Sequence, residues 1–355
     1  KRLGADRVFL VSDAGLEKAG WVERLQSILK AERLEWVYFN KISANPRDQQ
    51  VNEGVRCYQE AGCDVVMAIG GGSPMDAAKG IAMVASNGGT VQDYEGANRI
   101  QHPLPPMVFM PSTAGSGADI SQFAIITDMQ RQVKMSIISR TLVPNISIID
   151  PELLTTKTED LIVASAIDAL SHAVEAYVSS IASTLTENQS LKAIDLIMKY
   201  LPMALEGRRM TALDNLSSAC TCAAMAFSNA SLGLDHALAH SLGGKLDLAH
   251  GLIHPILLPA VMRFNLPVCE DKMADIGEIV MGQRTGNAEG TAQAGIARLE
   301  AFFADLNIST RLRDIVDDAA VLPQICEMAS QDACLLTNPR EATVGDMVDL
   351  CKTCW

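Results

Sequence analysis

The sequence has no apolar run long enough to cross a membrane. No segment approaches the roughly 18 uninterrupted apolar residues that a spanning helix needs. The chain also begins without a charged and then apolar leader, so we predict no secretory signal. We therefore expect a protein with no membrane partner.

An excess of basic residues is also missing. The chain has 29 Lys and Arg against 42 Asp and Glu, a formal net charge of −13. Because nucleic-acid binding needs clustered Lys and Arg, we predict no nucleic-acid partner. The nine cysteines are an odd number scattered over a long chain, which argues against a disulfide framework and favours a reducing cytoplasm.

The N-terminal part of the chain alternates strand and helix patterns. Short apolar runs at 8–11, 36–39 and 65–69 predict strands, and helical patterns follow at 16–31 and 49–61. Strands that alternate with helices in this way are typical of βαβ units. We predict an α/β domain over residues 1–150, with a parallel sheet and a Rossmann-like arrangement.

The composition changes near Asp150. From Leu153 onward Ala, Leu, Ile and Met dominate at helical spacing, with few β-branched runs. Helices are predicted over residues 161–179, 186–200 and 213–227. We therefore predict an all-α domain over residues 151–355.

Three consecutive glycines follow the third predicted strand, in the run GGGSPMD at residues 70–76. Ser73 suits a helix N-cap, with Asp76 as its capping-box partner. Glycines before a helix N-terminus let an anion reach free N–H groups, and a pyrophosphate is the natural ligand. The run lacks the G-x-G-x-x-G pattern, because Met75 stands where the third glycine would be, and a tight turn without a ligand is the alternative.

A second loop rich in hydroxyls and glycines, PSTAGSG, occupies residues 111–117 after another apolar run. Ligands collect at the carboxyl ends of parallel strands. We therefore expect the two loops together to hold a dinucleotide.

Five of the six histidines fall between residues 172 and 254. Three pairs of side chains stand four residues apart, as on one face of a helix: Asp168 with His172, His236 with His240, and His250 with His254. A single such pair is more often chance or core packing, but three pairs favour a divalent metal such as Fe²⁺ or Zn²⁺. The spacing alone does not choose which four residues are ligands.

The chain resembles the iron-containing (group III) alcohol dehydrogenases along essentially its whole length. The matching segments are GGGSPMDAAK at 70–79, PSTAGSG at 111–117, FAIITD at 123–128, DALSH at 168–172, DHALAHSLGG at 235–244, AHG at 249–251 and LTNPR at 336–340. Together these segments, in this order, are far more specific than any one glycine loop.

The resemblance implies both the metal site and the proton donor. It places the metal ligands at Asp168, His172, His236 and His250, with Fe²⁺ as the metal and Zn²⁺ possible. His240 is then a catalytic residue suited to proton transfer. The metal would serve as a Lewis acid toward a carbonyl oxygen.

The resemblance also implies a cofactor site. It assigns the dinucleotide to Gly71, Gly72, Ser73, Asp76, Thr113, Ser116 and Lys134. Asn40 stands where the family often has an acidic residue that contacts the adenine ribose, and Lys41 follows it. We expect NAD(H), with NADP(H) use still open because the repelling carboxylate is missing and an ammonium is near.

The substrate is less defined than the reaction. Gln122 and Phe123 are expected to line the pocket. His254 replaces a usual Asn, and either contacts a polar substrate or makes a supporting hydrogen bond. Ala249 replaces a usual Pro. The family's chains begin with a further segment that includes a first strand, and we expect this sequence to lack it.

These residues predict an NAD(P)-dependent, metal-dependent alcohol dehydrogenase or aldehyde reductase that acts on a small aldehyde or alcohol. The alternatives are a hydroxyacid–oxoacid transhydrogenase, a glycerol dehydrogenase-like enzyme, and a sensor that binds metal or dinucleotide without catalysis. The resemblance also implies a homodimer or a larger homo-oligomer.

Overall fold

A computed structural model describes residues 2–207, 209–248 and 250–355. The chain divides into two compact units, unit 1 (Lys1–Lys157) and unit 2 (Thr158–Trp355). The division falls after Lys157, whereas the change in composition lies near Asp150. Ala249, where the family usually has Pro, lies outside the described residues.

Unit 1 contains all the described strands. They are β1 (Arg7–Val11), β2 (Glu35–Phe39), β3 (Val65–Gly70), β4 (Gly96–Ala97), β5 (Met107–Pro111), β6 (Phe123–Asp128), β7 (Val133–Ile138) and β8 (Ile146–Ser147). Its helices are α1 (Ala14–Lys18), α2 (Trp21–Ala31), α3 (Asp48–Glu60) and α4 (Gly72–Asn87).

Five strands form a parallel sheet in the order β2-β1-β3-β5-β8. Successive side chains of β1 enter different cores because strand residues alternate between faces. Phe9 packs in a core with Val51 and Ile81 of α3 and α4. Leu10 packs in a second core with Leu25 and Leu29 of α2. Both faces of the sheet are therefore covered.

Two local features of unit 1 differ from the prediction. The helix expected over 16–31 is interrupted, because Gly20 has a positive φ of 83° and α2 starts again at Trp21. A second sheet, in the order β4-β7-β6, was not predicted. In this sheet β6 and β7 are antiparallel and Ala124 pairs with Ile137.

The described part of unit 2 is helical. Its α-helices are α5 (Glu159–Val178), α6 (Thr184–Leu205), α7 (Met210–Ala230), α8 (Leu234–Leu246), α9 (His254–Asn265), α10 (Glu270–Met281), α11 (Ala288–Asp305), α12 (Leu322–Ala329) and α13 (Val344–Thr353). A short 3-10 turn, His250–Leu252, lies between α8 and α9. The predicted fold class, an α/β unit followed by a helical one, is confirmed.

Helix α5 is the most enclosed element of unit 2. Thr158 caps its first turn by accepting a hydrogen bond from the backbone N–H of Leu161, and from residue 166 to its end every side chain is buried. Its length and mean hydropathy alone would allow it to cross a membrane, although ionisable residues interrupt its apolar sequence, but 83% of its apolar window is buried inside the structure, as in a core helix. Asp168, His172 and Glu175 are therefore polar groups held in an apolar setting.

Helices α8 and α9 pack together in an apolar core of unit 2. Leu238 and Leu242 of α8 pack with Ile256 and Leu257 of α9, together with Met347 of α13. This packing sets the orientation of α8 and α9, and with it the direction of the histidines that they carry.

Candidate active site

The glycine loop joins β3 to α4. Strand β3 ends at Gly70, and α4 begins at Gly72 with Gly71 as its N-cap. No side chain caps this helix start, so its first N–H groups are available to an anion. The prediction of Ser73 as the N-cap is wrong, because its hydroxyl instead donates to the backbone carbonyl of Ala44.

The second loop lies directly beside the first. Gly70 pairs with Pro111 at the ends of β3 and β5, and the N–H of Ser112 donates to the carbonyl of Gly70 at 2.7 Å. A Cβ added to Gly72 would lie 2.8 Å from Ser116 Oγ, and one added to Gly71 would lie 3.5 Å from Thr113 Oγ1. The two loops therefore form a cradle that any larger side chain at Gly72 would fill.

Carboxylates lie near the ends of β1 and β2, and one of them contacts Asn40. The Asn40 amide donates to Glu17 Oε2 at 2.9 Å, and Lys41 forms an ion pair with Glu53. Asp13 Oδ2 would lie 3.2 Å from a Cβ at Gly70. Sequence reasoning missed Asp13 and Glu17, although Asp13 follows the first strand almost directly.

The other predicted residues of unit 1 lie on the three-stranded sheet and around it. Lys134 is in β7 opposite Thr127, Phe123 opens β6, and Gln122 precedes it. Lys79 of α4 is fully buried and donates to the carbonyls of Ser121 and Phe123 at 2.8 and 2.7 Å. Burial lowers the pKa of Lys79 to about 8, and its two bonds fix the start of β6.

Four side chains in unit 2 bring their ligand atoms together. Asp168 of α5, His236 of α8, His250 of the 3-10 turn and His254 at the start of α9 each place one atom within 4.8 Å of the others. All but His250 are buried. Three of the four predicted metal ligands are in this group, and the fourth member is His254.

His172 borders the same group. Its Nε2 lies 3.9 Å from Asp168 Oδ1, the same distance as His236 Nε2. Its ring stacks on the His236 ring at 4.5 Å and on Phe227 at 4.3 Å. All four residues that the resemblance assigns to the metal therefore lie in one place.

Buried carboxylates hold two of these imidazoles through Nδ1. His236 Nδ1 lies 2.7 Å from Glu175 Oε2, and His254 Nδ1 lies 2.6 Å from Asp235 Oδ2. Glu175 also accepts hydrogen bonds from the backbone N–H groups of Gly233 and Asp235. A histidine held at Nδ1 presents Nε2 to the group, as metal-bound histidines commonly do.

Burial and neighbouring charges set the protonation of these side chains. Burial lowers the pKa of His236 to about 3 and raises the pKa of Glu175 to about 7. Burial opposes ionisation of Asp168, but His172, His254 and His236 outweigh it and lower its pKa below the usual range. Burial by itself would lower the pKa of His254. The carboxylates of Asp235 and Asp168 have the larger effect and raise this pKa to about 10.

His240 lies one helical turn beyond His236. Its Nδ1 is 2.8 Å from Asp332 Oδ2, and its ring stacks on that of His250 at 5.3 Å. Burial opposes ionisation of Asp332, yet contact with His240 lowers the pKa of Asp332. Sequence reasoning missed Asp332, as it missed Glu175 and Asp235, because no spacing links them to their histidines.

The group fits a divalent metal ion. Asp168 Oδ1, His236 Nε2 and His254 Nε2 are buried and have no hydrogen-bond partner among the described residues. Leaving such atoms unsatisfied costs about 1–3 kcal/mol each. One carboxylate with several imidazoles is a donor set that Fe²⁺ and Zn²⁺ accept.

Comparison with known sequence families covers nearly the whole chain. Residues 1–151 match the family described as iron-containing alcohol dehydrogenase. Residues 162–355 match the C-terminal domain of the Fe-containing alcohol dehydrogenase family.

Several characterised proteins align along almost their entire length. The NAD-dependent methanol dehydrogenase of Bacillus methanolicus is 35% identical over 99% of this chain and 93% of its own. The 1,3-propanediol dehydrogenase of Citrobacter freundii is 36% identical over 99% and 92%. The lactaldehyde reductase of Escherichia coli K12 is 34% identical over 100% and 94%.

Solved structures share the fold. A 1,3-propanediol oxidoreductase has a TM-score of 0.96 at 35% identity, covering 100% of this chain and 93% of its own. An alcohol dehydrogenase from Oenococcus oeni has a TM-score of 0.96 at 31% identity, covering 100% and 94%.

Proposed function

The chain belongs to the iron-containing alcohol dehydrogenase family, and we propose that it interconverts short-chain aldehydes and alcohols with NAD(H) and a divalent metal. The observation that carries the proposal is the convergence of Asp168 with the imidazoles of α8, the 3-10 turn and α9. A buried carboxylate and several imidazoles are the donors that a catalytic metal needs, and unit 1 supplies the anion-binding helix start.

The metal ligands that we propose are Asp168, His172, His236 and His250. Fe²⁺ is the metal we favour, and Zn²⁺ can occupy the same donors. When bound, the cation supplies Lewis-acid polarisation of a carbonyl oxygen. Glu175 keeps His236 oriented by occupying its Nδ1.

We propose that unit 1 binds the dinucleotide along its glycine cradle. The pyrophosphate is assigned to Gly71, Gly72, Ser73 and Asp76, with Thr113, Ser116, Lys134 and Asn40 completing the site. The bound nicotinamide supplies or accepts the hydride.

NAD(H) is favoured over NADP(H) for an electrostatic reason. Glu17 places a carboxylate beside Asn40 at the end of β2, where it would repel a 2′-phosphate. The ammonium of Lys41, which could have attracted that phosphate, is already paired with Glu53.

His240 is the residue that we propose moves the proton. Asp332 occupies its Nδ1, which fixes the tautomer and leaves Nε2 to exchange a proton with the substrate oxygen, directly or through water. Its neighbour His250 places it next to the proposed ligands.

The substrate class follows from the relatives. Proteins named for methanol, 1,3-propanediol and lactaldehyde all align with the full chain, so we propose a short aldehyde or alcohol. Gln122 and Phe123 are the residues assigned to contact it. His254 is fully buried between Asp168 and Asp235, which favours a role at the metal over contact with substrate.

We also propose a homo-oligomer working in a reducing cytoplasm. The nine cysteines are all free, and a reducing compartment keeps them so. Size-exclusion chromatography with light scattering gives the assembly directly.

The test is oxidation of NADH and of NADPH by full-length protein that has been reconstituted anaerobically with Fe²⁺ or Zn²⁺, across a panel of short aldehydes. We expect metal-dependent oxidation, with a higher kcat/KM for NADH. The metal-stripped protein is the control. A protein that binds metal and NADH yet oxidises neither cofactor would overturn the proposal, and turnover between a hydroxy acid and an oxo acid without added cofactor would indicate a transhydrogenase.

A further inference from the structure

We infer that His254 is an additional ligand of the metal, through its Nε2. The inference rests on the metal site proposed above and deepens it, because the four residues assigned there do not include His254. Its support is the position, burial and hydrogen bonding of this one side chain.

Local structure fixes the position of His254. It is the first residue of α9 and is followed by Pro255, which suits the first turn of a helix. Its ring is fully buried, and Asp235 holds Nδ1 at 2.6 Å. Both rotation of the ring and its exit to solvent are blocked, so Nε2 has a fixed direction.

That direction is toward Asp168. His254 Nε2 lies 3.2 Å from Asp168 Oδ1, closer than the 3.9 Å of either His172 or His236. At 3.2 Å the two atoms are in polar contact. His254 Nε2 therefore faces the carboxylate that the resemblance assigns to the metal.

Ligand atoms that share a metal lie close to one another. Zinc ligands of this kind stand about 2.0–2.2 Å from the ion, so neighbouring ligand atoms lie roughly 3–3.5 Å apart. The distance from His254 to Asp168 falls in this range. His254 also belongs to the set of four mutually close ligand atoms.

An added imidazole changes which metals the site holds. Nitrogen donors favour late first-row metals such as Fe²⁺, Co²⁺ and Zn²⁺ over Mg²⁺ or Mn²⁺. We therefore expect His254 to tighten binding of the late metals in particular. Asp235 acts through His254 as a positioning residue.

The experiment counts imidazoles on the metal by a route independent of catalysis. Full-length protein is reconstituted with Co²⁺, and its paramagnetically shifted imidazole proton signals are recorded by ¹H NMR. We expect signals from four ligated histidines in the unaltered chain and from three in His254→Gln. The Zn²⁺ dissociation constant, measured by chelator competition, should rise at least about ten-fold in His254→Gln.

His102→Gln is the matched control, because His102 is exposed and lies in unit 1. It should change neither the signal count nor the Zn²⁺ affinity. If His254→Gln fails to fold by circular dichroism, four ligated histidines in the unaltered chain still support the inference, because the ligands proposed above include only three.

The possible failures are distinguishable. Three ligated histidines in both the unaltered chain and His254→Gln would overturn the inference and leave the proposed metal site intact. His254 would then be a hydrogen-bond partner or a substrate contact. An unaltered chain that binds Co²⁺ without any shifted imidazole signal would instead remove the proposed metal site, and with it this inference.

Discussion

Each of three histidines in unit 2 has one ring nitrogen committed to a carboxylate. Glu175 holds His236, Asp235 holds His254, and Asp332 holds His240. Such a contact fixes the tautomer and the ring orientation, so the other nitrogen can take a defined chemical role. The role of each histidine therefore depends on the group that its Nε2 faces.

At the scale of single residues, we predict that His240→Ala lowers kcat about 100-fold, within the range for loss of a general acid–base group. Metal content should not change, because His240 is outside the set of four converging ligand atoms. Steady-state kinetics and elemental analysis of the same preparation measure both. Asp332→Asn should lower kcat less, because the amide still contacts Nδ1.

His102→Ala is the control, at the same exposed position as the control used above, and its kcat should equal that of the unaltered chain. If His240→Ala loses its metal, His240 is a ligand and the proposed assignment is wrong. If kcat is unchanged with metal retained, the proton moves through another group.

The residue scale also shows what the sequence could reveal about the site. Asp168 and His172 are four residues apart, and so are His236 and His240, so spacing alone predicted a metal site but not which residues are its ligands. The carboxylate partners were not predictable, because Asp332 is 92 residues from His240 and Glu175 is 61 from His236. Only tertiary packing brings those pairs together.

At the scale of elements, the glycine cradle depends on the absence of a side chain. Gly72 opens α4 next to Ser116, and we predict that Gly72→Ala raises the KM for NADH roughly ten-fold. The added methyl would crowd the space assigned to the pyrophosphate, and overpacking of this kind costs about 1–3 kcal/mol. Steady-state kinetics with varied NADH measures it, and kcat should change little.

Gly345→Ala is a matched control, since Gly345 also lies in the first turn of a helix and its added Cβ would meet Thr343 Oγ1 at an ordinary 3.6 Å. It should leave the KM for NADH unchanged. An unchanged KM in a folded Gly72→Ala protein would mean that the dinucleotide binds elsewhere.

The elements themselves were largely predictable, because apolar runs ended by turn residues mark buried strands. The first three strands and the long helices of unit 2 are confirmed. The local backbone conformation was harder to predict. Gly20 interrupts a helical pattern through its positive φ, and Ser73 is not the N-cap of α4 because the helix begins at Gly72 with Gly71 as its N-cap. The hairpin of β6 and β7 was missed because its pairing depends on tertiary context.

At the scale of the whole molecule, the family, the enzyme class and the fold class predicted from the sequence are confirmed. The assignment of dinucleotide to unit 1 and of metal to unit 2 stays a prediction. It predicts which segments each ligand stabilises, because a bound ligand makes local unfolding of the segments that hold it less frequent.

Hydrogen exchange measured by mass spectrometry tests this claim. Zn²⁺ added to the metal-stripped protein should slow exchange in α5, α8 and α9, and NADH should slow it in α4 and in residues 111–117. At a free ligand concentration 100-fold above Kd, the bound segments gain about 2.7 kcal/mol, so exchange there should slow roughly 100-fold. Cys326 of α12 and Cys351 of α13 are free thiols buried in one core, and slowing by Zn²⁺ around them would instead place the metal at thiols. Slowing by NADH in unit 2 alone would remove the dinucleotide from the glycine cradle.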